Sequence, residues 1–310
     1  MTIDGVRHHY LDWGGRGEAL LFLPGAGNSA HIFDDIAPKF TDRFRVLALT
    51  RRGIGESDKP ETGYDRPTLT EDIRRFLDAL HIRRVHIAGH SLAGDMMTLF
   101  ARLYPGRVGK LIYLDAAYDR EAYDKLPPSP IPPPPQSEAD RASFAAFRRW
   151  YVKTYGFWSN AMETDARITM LAPDGNLHPP VSPAIYKALA AGRVGTHPDY
   201  TKVKAPSLSF YVLRDTLPRW LLSPYSDDET RRKVLDYMND VDLPYQRRNI
   251  EQFRREMARG RVIEMRNTAH HCFIKNEGEV VREMRAFLLG RRALAAEAVD
   301  VRRLNARQEG

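Results

Sequence analysis

Val85-His86-Ile87-Ala88-Gly89-His90-Ser91-Leu92-Ala93-Gly94 decides how this chain is read. An apolar run suited to a buried strand leads into a serine with small residues two places to either side, Gly89 and Ala93. A helical pattern, Met96-Met97-Thr98-Leu99-Phe100-Ala101, follows at once. A strand that turns into a helix so abruptly leaves no room for bulk beside the turn. Small side chains at both places are therefore a steric requirement, which alanine meets much as glycine does. Such a nucleophile elbow sets the hydroxyl at a helix N-terminus, where backbone N–H groups and a partial positive charge face a developing oxyanion. A plain glycine-flanked turn with a capping serine has the same letters. The elbow gains meaning only if the other parts of a nucleophilic site follow in order.

A serine nucleophile needs a base, an acid to orient the base, and donors for the oxyanion. Leu23-Pro24-Gly25-Ala26-Gly27 closes an earlier apolar run, and its glycines let backbone approach a bound group. The N–H of Ala26 would then pair with that of Leu92 to form the oxyanion hole, although an ordinary strand-to-helix turn reads the same way. The base belongs after the last strand, where Asn267-Thr268-Ala269-His270-His271-Cys272-Phe273 precedes the final helical pattern. His270 follows a small-residue turn and is favoured over His271. No H-x-x-x-H or Cys/His set accompanies the pair, which argues against a metal. His8-His9 falls within an expected strand, where neighbouring side chains face opposite sides, and is also a poor metal site. Two aspartates qualify as the acid. Asp215 closes the run that begins at Pro206, and its spacing gives it the edge. Asp115 ends Leu111-Ile112-Tyr113-Leu114-Asp115 one strand earlier and remains the alternative.

Around these motifs, strand-like and helix-like stretches alternate. Residues 6–12, 18–23, 44–50, 85–88, 108–114, 207–213 and 262–265 read as strands, and 69–80, 92–104 and 277–289 as helices. Alternation of this kind implies right-handed crossovers and a mostly parallel central sheet with helices on both faces, an α/β fold. The rhythm breaks at 116–204. There Pro127-Pro128-Ser129-Pro130-Ile131-Pro132-Pro133-Pro134-Pro135 should be extended and excludes helix or central strand. A helical stretch at 138–155 and a short helix at 184–191 follow. The expected organisation is a core of 1–115 and 205–290, an inserted helical cap at 116–204 and a charged tail at 291–310. Trp150, Tyr151 and Trp158, with Phe144, Phe147 and Phe157, are candidates to line a substrate pocket, although most such aromatics simply pack. Asp95, near the start of the elbow helix, suits the helix dipole.

The chain has 310 residues, 43% of them hydrophobic, and a formal net charge of +7. The arginines are scattered as pairs with acids between them, which speaks for a solvated surface and against nucleic acid. A single cysteine, Cys272, excludes an intrachain disulfide. No apolar stretch is long enough for a membrane span. The expected setting is the cytoplasm, or a secreted or periplasmic one if a leader has been removed. The letters leave oligomeric state open.

With elbow, oxyanion turn, acids and histidine loop in this order, the chain resembles the α/β-hydrolase superfamily over residues 6–115 and 205–289. Thr50-Arg51-Arg52-Gly53-Ile54-Gly55-Glu56-Ser57-Asp58-Lys59-Pro60 is similar to a structural loop of that superfamily, with threonine where aspartate is usual. Pro24 stands where a histidine often begins the oxyanion turn, and Val212 where a glycine often precedes the acid. The resemblance implies a serine hydrolase that cleaves a small carboxylic ester through an acyl-enzyme, with no cofactor and no metal. Serine at 91 sets the chain apart from haloalkane dehalogenases and epoxide hydrolases, whose elbow carries aspartate. C–C bond hydrolases, lactonases and thioesterases of the same fold are alternatives. A small-ligand receptor or carrier with little turnover is the alternative from another class.

Overall fold

The computed structural model describes residues 1–172, 175–222 and 226–290, so the expected charged tail at 291–310 lies outside the described residues. A two-stranded antiparallel ribbon, β1 (Thr2–Ile3) and β2 (Val6–Arg7), precedes a seven-stranded sheet. The sheet comprises β3 (Tyr10–Gly14), β4 (Ala19–Leu23), β5 (Arg45–Leu49), β6 (Val85–His90), β7 (Val108–Leu114), β8 (Ser207–Val212) and β9 (Gly260–Met265). Their spatial order is β3-β5-β4-β6-β7-β8-β9, with only β3 antiparallel. From β4 the chain steps outward to β5, then returns to β4's other side as β6. The crevice at the carboxyl ends of β4 and β6 is therefore the switch point, the usual ligand position in an open parallel sheet.

The helices in chain order are α1 (Arg66–Ala79), α2 (Ala93–Leu103), α3 (Arg120–Asp124), α4 (Glu138–Arg141), α5 (Phe144–Tyr155), α6 (Asn160–Met170), α7 (Pro183–Ala191), α8 (Asp228–Tyr237), α9 (Leu243–Glu256), α10 (Cys272–Lys275) and α11 (Glu277–Leu289). Strand periodicity divides the core into two layers. Leu21, Leu47, Ile87, Leu111, Tyr113 and Tyr211 face one side, packed with α1, α2 and α9 through Phe76, Phe100 and Phe253. Leu20, Phe22, Val46, Ala88, Ile112 and Phe210 face the other, packed with Phe33, Phe40 and the α11 residues Val280, Met284 and Leu288. Both faces are covered, so the central strands are apolar throughout, and the parallel sheet expected from the sequence is formed.

Three details differ from the sequence reading, each for a local reason. The expected strand at 6–12 is interrupted at His8-His9. The backbone N–H of His9 donates to Ser57 Oγ at 2.9 Å and its carbonyl accepts the N–H of Thr50 at 2.9 Å, which turns the chain from β2 into β3. The expected helix at 138–155 is divided by Ser143. Its backbone is extended and its Oγ accepts the N–H of Ala146, so a new helix, α5, begins there. Helices α6, α8 and α9 had no clear signal. In α9, Arg247, Arg248, Arg254 and Arg255 surround a narrow buried stripe of Tyr245, Gln246, Asn249, Ile250 and Phe253, which blurs the helical period.

Residues between β7 and β8 carry α3 to α7. The proline-rich run at 127–135 forms neither helix nor strand. It is tied down at its start and at its middle. Ile131 packs against Leu221, Val234 and Met238, and Tyr237 donates its hydroxyl to Pro127 O at 2.7 Å.

Close packing of α2 against the chain after β7 depends on Gly94. A Cβ there would lie 1.9 Å from Ala116 O, a backbone atom with no freedom to move aside. Gly94→Ala should cost about 3 kcal/mol, read as a lower urea midpoint. Gly106→Ala, where a Cβ meets nothing within 4 Å, should leave the midpoint almost unchanged.

Candidate active site

Ser91 follows β6 with φ +52, a left-handed conformation that costs a serine about 1–3 kcal/mol and persists only where its surroundings enforce it. The enforcement is visible. Ser91 N–H donates to Leu114 O at 3.3 Å, and Gly94 N–H donates to Ser91 O at 3.0 Å as α2 begins. A Cβ at Gly89 would lie 2.5 Å from Met97 Sδ and 3.1 Å from Ala93 Cβ, which is the steric demand read from the sequence. The Gly25 turn packs straight onto the elbow, for a Cβ there would lie 3.0 Å from both Ser91 Cβ and His90 Nδ1. Arg51, buried beneath this turn, donates to Ala26 O at 2.8 Å. Ala26 and Leu92, the two expected oxyanion donors, thus flank Ser91 on adjoining segments.

The histidine loop meets Asp115, not Asp215. His270 Nδ1 lies 2.6 Å from Asp115 Oδ2. Asp115 is buried, with φ +48. Its Oδ1 accepts the Tyr118 hydroxyl at 2.5 Å and the Val212 N–H at 3.0 Å. Burial pushes the Asp115 carboxyl upward, but hydrogen bonds from His270, Tyr118 and Val212 outweigh it and hold the group below its ordinary range. It is therefore ionised at neutral pH. Asp215, given the edge on spacing, pairs with Arg266 instead. The reason is geometric. β8 ends at Val212, whose N–H is spent on Asp115, and Asp215 lies beyond the strand end on the side of the loop that carries Arg266.

Three imidazoles share the crevice. The His90 ring packs 4.5 Å from that of His270 and 4.7 Å from that of His271, and His90 Nε2 lies 3.1 Å from His270 O. His270 is the accessible one, its side chain 43% exposed. Burial, reinforced by His270, lowers His271 to about 3 and His90 well below its ordinary value, so both stay neutral. His271 Nε2 contacts Asn28 Oδ1 at 3.3 Å. Asn28 in turn donates to Asp165 Oδ2 of α6 at 2.7 Å, and Ser29 donates to Asp165 Oδ1 from both N and Oγ. Tyr118, His90, Asn28 and Asp165 were not singled out from the sequence. Only Tyr118, three residues after Asp115, had a local cue. Next to His271, Cys272 is fully buried in the sheet-face core, and burial pushes its thiol well up.

The aromatic candidates divide. Tyr151 and Trp158 pack between the Phe144–Phe147 cluster and the sheet-face core, with Trp158 Nε1 donating to Glu163 at 3.0 Å. Trp150 lines a cleft of about 930 Å³ together with Pro132, Pro134, Pro135, Arg219 and Trp220. Its Nε1 is buried there and has no hydrogen-bond partner among the described residues. The residues around Ser91 and His270 do not line this cleft. Asp95 sits 3.6 Å from Arg120, and burial raises its carboxyl to about 6 against the pull of Arg120, Arg66 and Arg193. Among the described residues no helix is long and apolar enough to cross a membrane.

Comparison with known proteins agrees with this architecture. The family described as the alpha/beta hydrolase fold matches residues 18–275, and the chain belongs to it. A non-heme chloroperoxidase of Streptomyces lividans is 38% identical over 118 residues, 37% of this chain and 43% of that protein. A soluble epoxide hydrolase of a Corynebacterium species is 34% identical over 113 residues, 36% of this chain and 39% of that protein. The chain thus spans about two fifths of the length of these curated relatives. Among solved structures, E-2-(acetamidomethylene)succinate hydrolase superposes with a TM-score of 0.66 over 92% of this chain and 96% of that one, at 21% identity. That last likeness is one of fold.

The neutral, buried His271 makes stability pH-dependent. The folded chain takes up this proton only near pH 3, whereas the unfolded chain takes it up near 6.5, so stability is lost as pH falls below about 6.5. His271→Gln should flatten the decline in urea-unfolding free energy between pH 7 and about 4.5 relative to wild type. Equal declines in both proteins would remove His271 from this account.

Proposed function

We propose that this chain is a hydrolase that cleaves carboxylic esters, with Ser91 as nucleophile, His270 as base and Asp115 as orienting acid. The observation that carries this reading is the 2.6 Å contact from an ionised, buried Asp115 to Nδ1 of the accessible His270, beside a serine in a strained elbow. With Nδ1–H donating to Asp115, the lone pair of His270 rests on Nε2. His270 accepts the Ser91 proton as Oγ attacks the ester carbonyl. The N–H groups of Ala26 and Leu92 hold the oxyanion, and Asp115 stabilises the imidazolium. Collapse expels the alcohol, which takes the proton from His270. Water, deprotonated by His270, then attacks the acyl-enzyme, and the carboxylic acid leaves with Ser91 restored.

The segment 116–204 is read as a cap over this site. The direct support is that its helix α6 bonds, through Asp165, to Asn28 and Ser29, just beyond the oxyanion turn. Tyr151, Phe157 and Trp158, packed against the core from the cap side, are the residues assigned to the acyl or aryl group. The chloroperoxidase and epoxide hydrolase among the relatives indicate how widely chemistry varies on one fold, so the site itself must support the assignment.

Turnover of p-nitrophenyl esters from acetate to palmitate tests the proposal. Ser91→Ala should lower kcat by roughly four to six orders of magnitude, and Asp115→Asn by about three to four. Asp215→Asn should leave kcat near wild type, because it breaks only a pair with the exposed Arg266. An Asp215 variant as damaged as the Asp115 variant would return the acid to Asp215. Turnover that survived Ser91→Ala would end the serine mechanism.

A further inference from the structure

His9, His31 and Glu56 meet outside the catalytic residues. His9 joins β2 to β3, His31 lies in the short helical turn Ala30–Phe33 after the oxyanion segment, and Glu56 lies in the loop after β5. One potential donor atom from each falls within 4.8 Å of the others. The two rings stack with centroids 5.3 Å apart, and His9 Nε2 is 3.2 Å from Glu56 Oε2.

What makes the cluster more than proximity is how the rings are held. His31 Nδ1 is 2.8 Å from Asp34 Oδ2, and His9 Nδ1 is 2.9 Å from Thr50 Oγ1. Thr50 Oγ1 is itself fixed, accepting the Ala30 N–H at 2.9 Å. When both Nδ1 atoms donate outward, both Nε2 lone pairs are free. A metal-bound imidazole is arranged this way, its other N–H held by a carboxylate or hydroxyl that sets tautomer and orientation. His9 is braced further, since its backbone N–H donates to Ser57 Oγ in the Glu56 loop. Among the described residues Glu56 forms no ion pair with lysine or arginine. The nearby Arg7 is engaged by Asp58 at 3.3 Å.

We propose that His9, His31 and Glu56 bind one borderline transition-metal dication, Zn²⁺ being the best fit, with water as the fourth ligand. In a tetrahedral site with bonds of about 2.0–2.2 Å, donor atoms lie about 3.3 Å apart. The His9–Glu56 pair is already at that spacing, and the His31 donor lies within 4.8 Å of both. Closure therefore takes a small shift of the His31 ring toward His9, followed by Glu56, whose side chain is 54% exposed. The ion would clasp three segments that are distant in sequence, one of them continuous with the Ala26 turn. It would act on the support of the site and take no part in the reaction.

The test uses the untagged full chain, stripped with EDTA and titrated with Co²⁺. One equivalent should produce the intense visible absorption of four-coordinate cobalt, and Zn²⁺ should abolish it. Glu56→Gln, at an exposed side chain that does not threaten folding, should weaken uptake by about tenfold. His31→Ala should remove it, and His270→Ala should leave it intact. Absence of that absorption, or a pale six-coordinate spectrum, overturns the proposal. So does uptake that ignores Glu56→Gln and disappears in His270→Ala, which would place the ion on the imidazoles beside Ser91.

Discussion

Two left-handed turns on neighbouring strands organise this molecule. Ser91 and Asp115 occupy equivalent places, each one residue past the paired strand ends His90 and Leu114, and both have φ near +50. That conformation is uncommon for both side chains, more so for the serine than for the aspartate. Both are held by hydrogen bonds from their own N–H to the next strand over, Ser91 to Leu114 O and Asp115 to Phe210 O. Parallel register therefore does more than bury apolar strands. It fixes where a hydroxyl and a carboxylate emerge at the same sheet edge, and the histidine loop after β9 closes on Asp115 and on His90, the residue before Ser91. Any slip between β6, β7 and β8 would separate them.

The parts of this arrangement that were legible in the sequence are the local ones. The elbow is a steric pattern within five residues, and the buried strands are short apolar runs. His270 could be placed because it follows the last strand. The partner of His270 could not be read, because both Asp115 and Asp215 follow strands. The choice depends on where β8 stops and on the Val212 N–H. Asn28, Asp165 and His271 meet across most of the chain length, and no spacing announces such contacts. His8-His9 shows the same division. Its side chains do diverge, His8 turning inward to Asp72 at 3.8 Å and His9 outward to His31 and Glu56. The company His9 finds there comes from remote segments.

The proline-rich stretch shows how composition constrains without specifying. Prolines lack a backbone donor and cannot join a sheet interior or a helix, so the run stays extended. Its position follows from Ile131 and Pro127, which anchor it to α8 and the residues before it. Held off α5 in this way, it forms one wall of the cleft at Trp150, whose buried indole N–H meets no acceptor among the described residues. Rigidity at that wall comes from the backbone, because the prolines have little side-chain freedom to lose.

The placement of Cys272 has a practical consequence. It is the only cysteine in the chain, and it is sealed in the core beside the histidine loop. Thiolate is the form that attacks maleimides and iodoacetamides, and burial denies the sulfur both that form and the reagent. A cysteine engineered on the surface of α5 or α11 would therefore be the sole reactive thiol of the folded protein. Fluorophores or spin labels could then report movement between the inserted helices and the sheet without the native cysteine being removed.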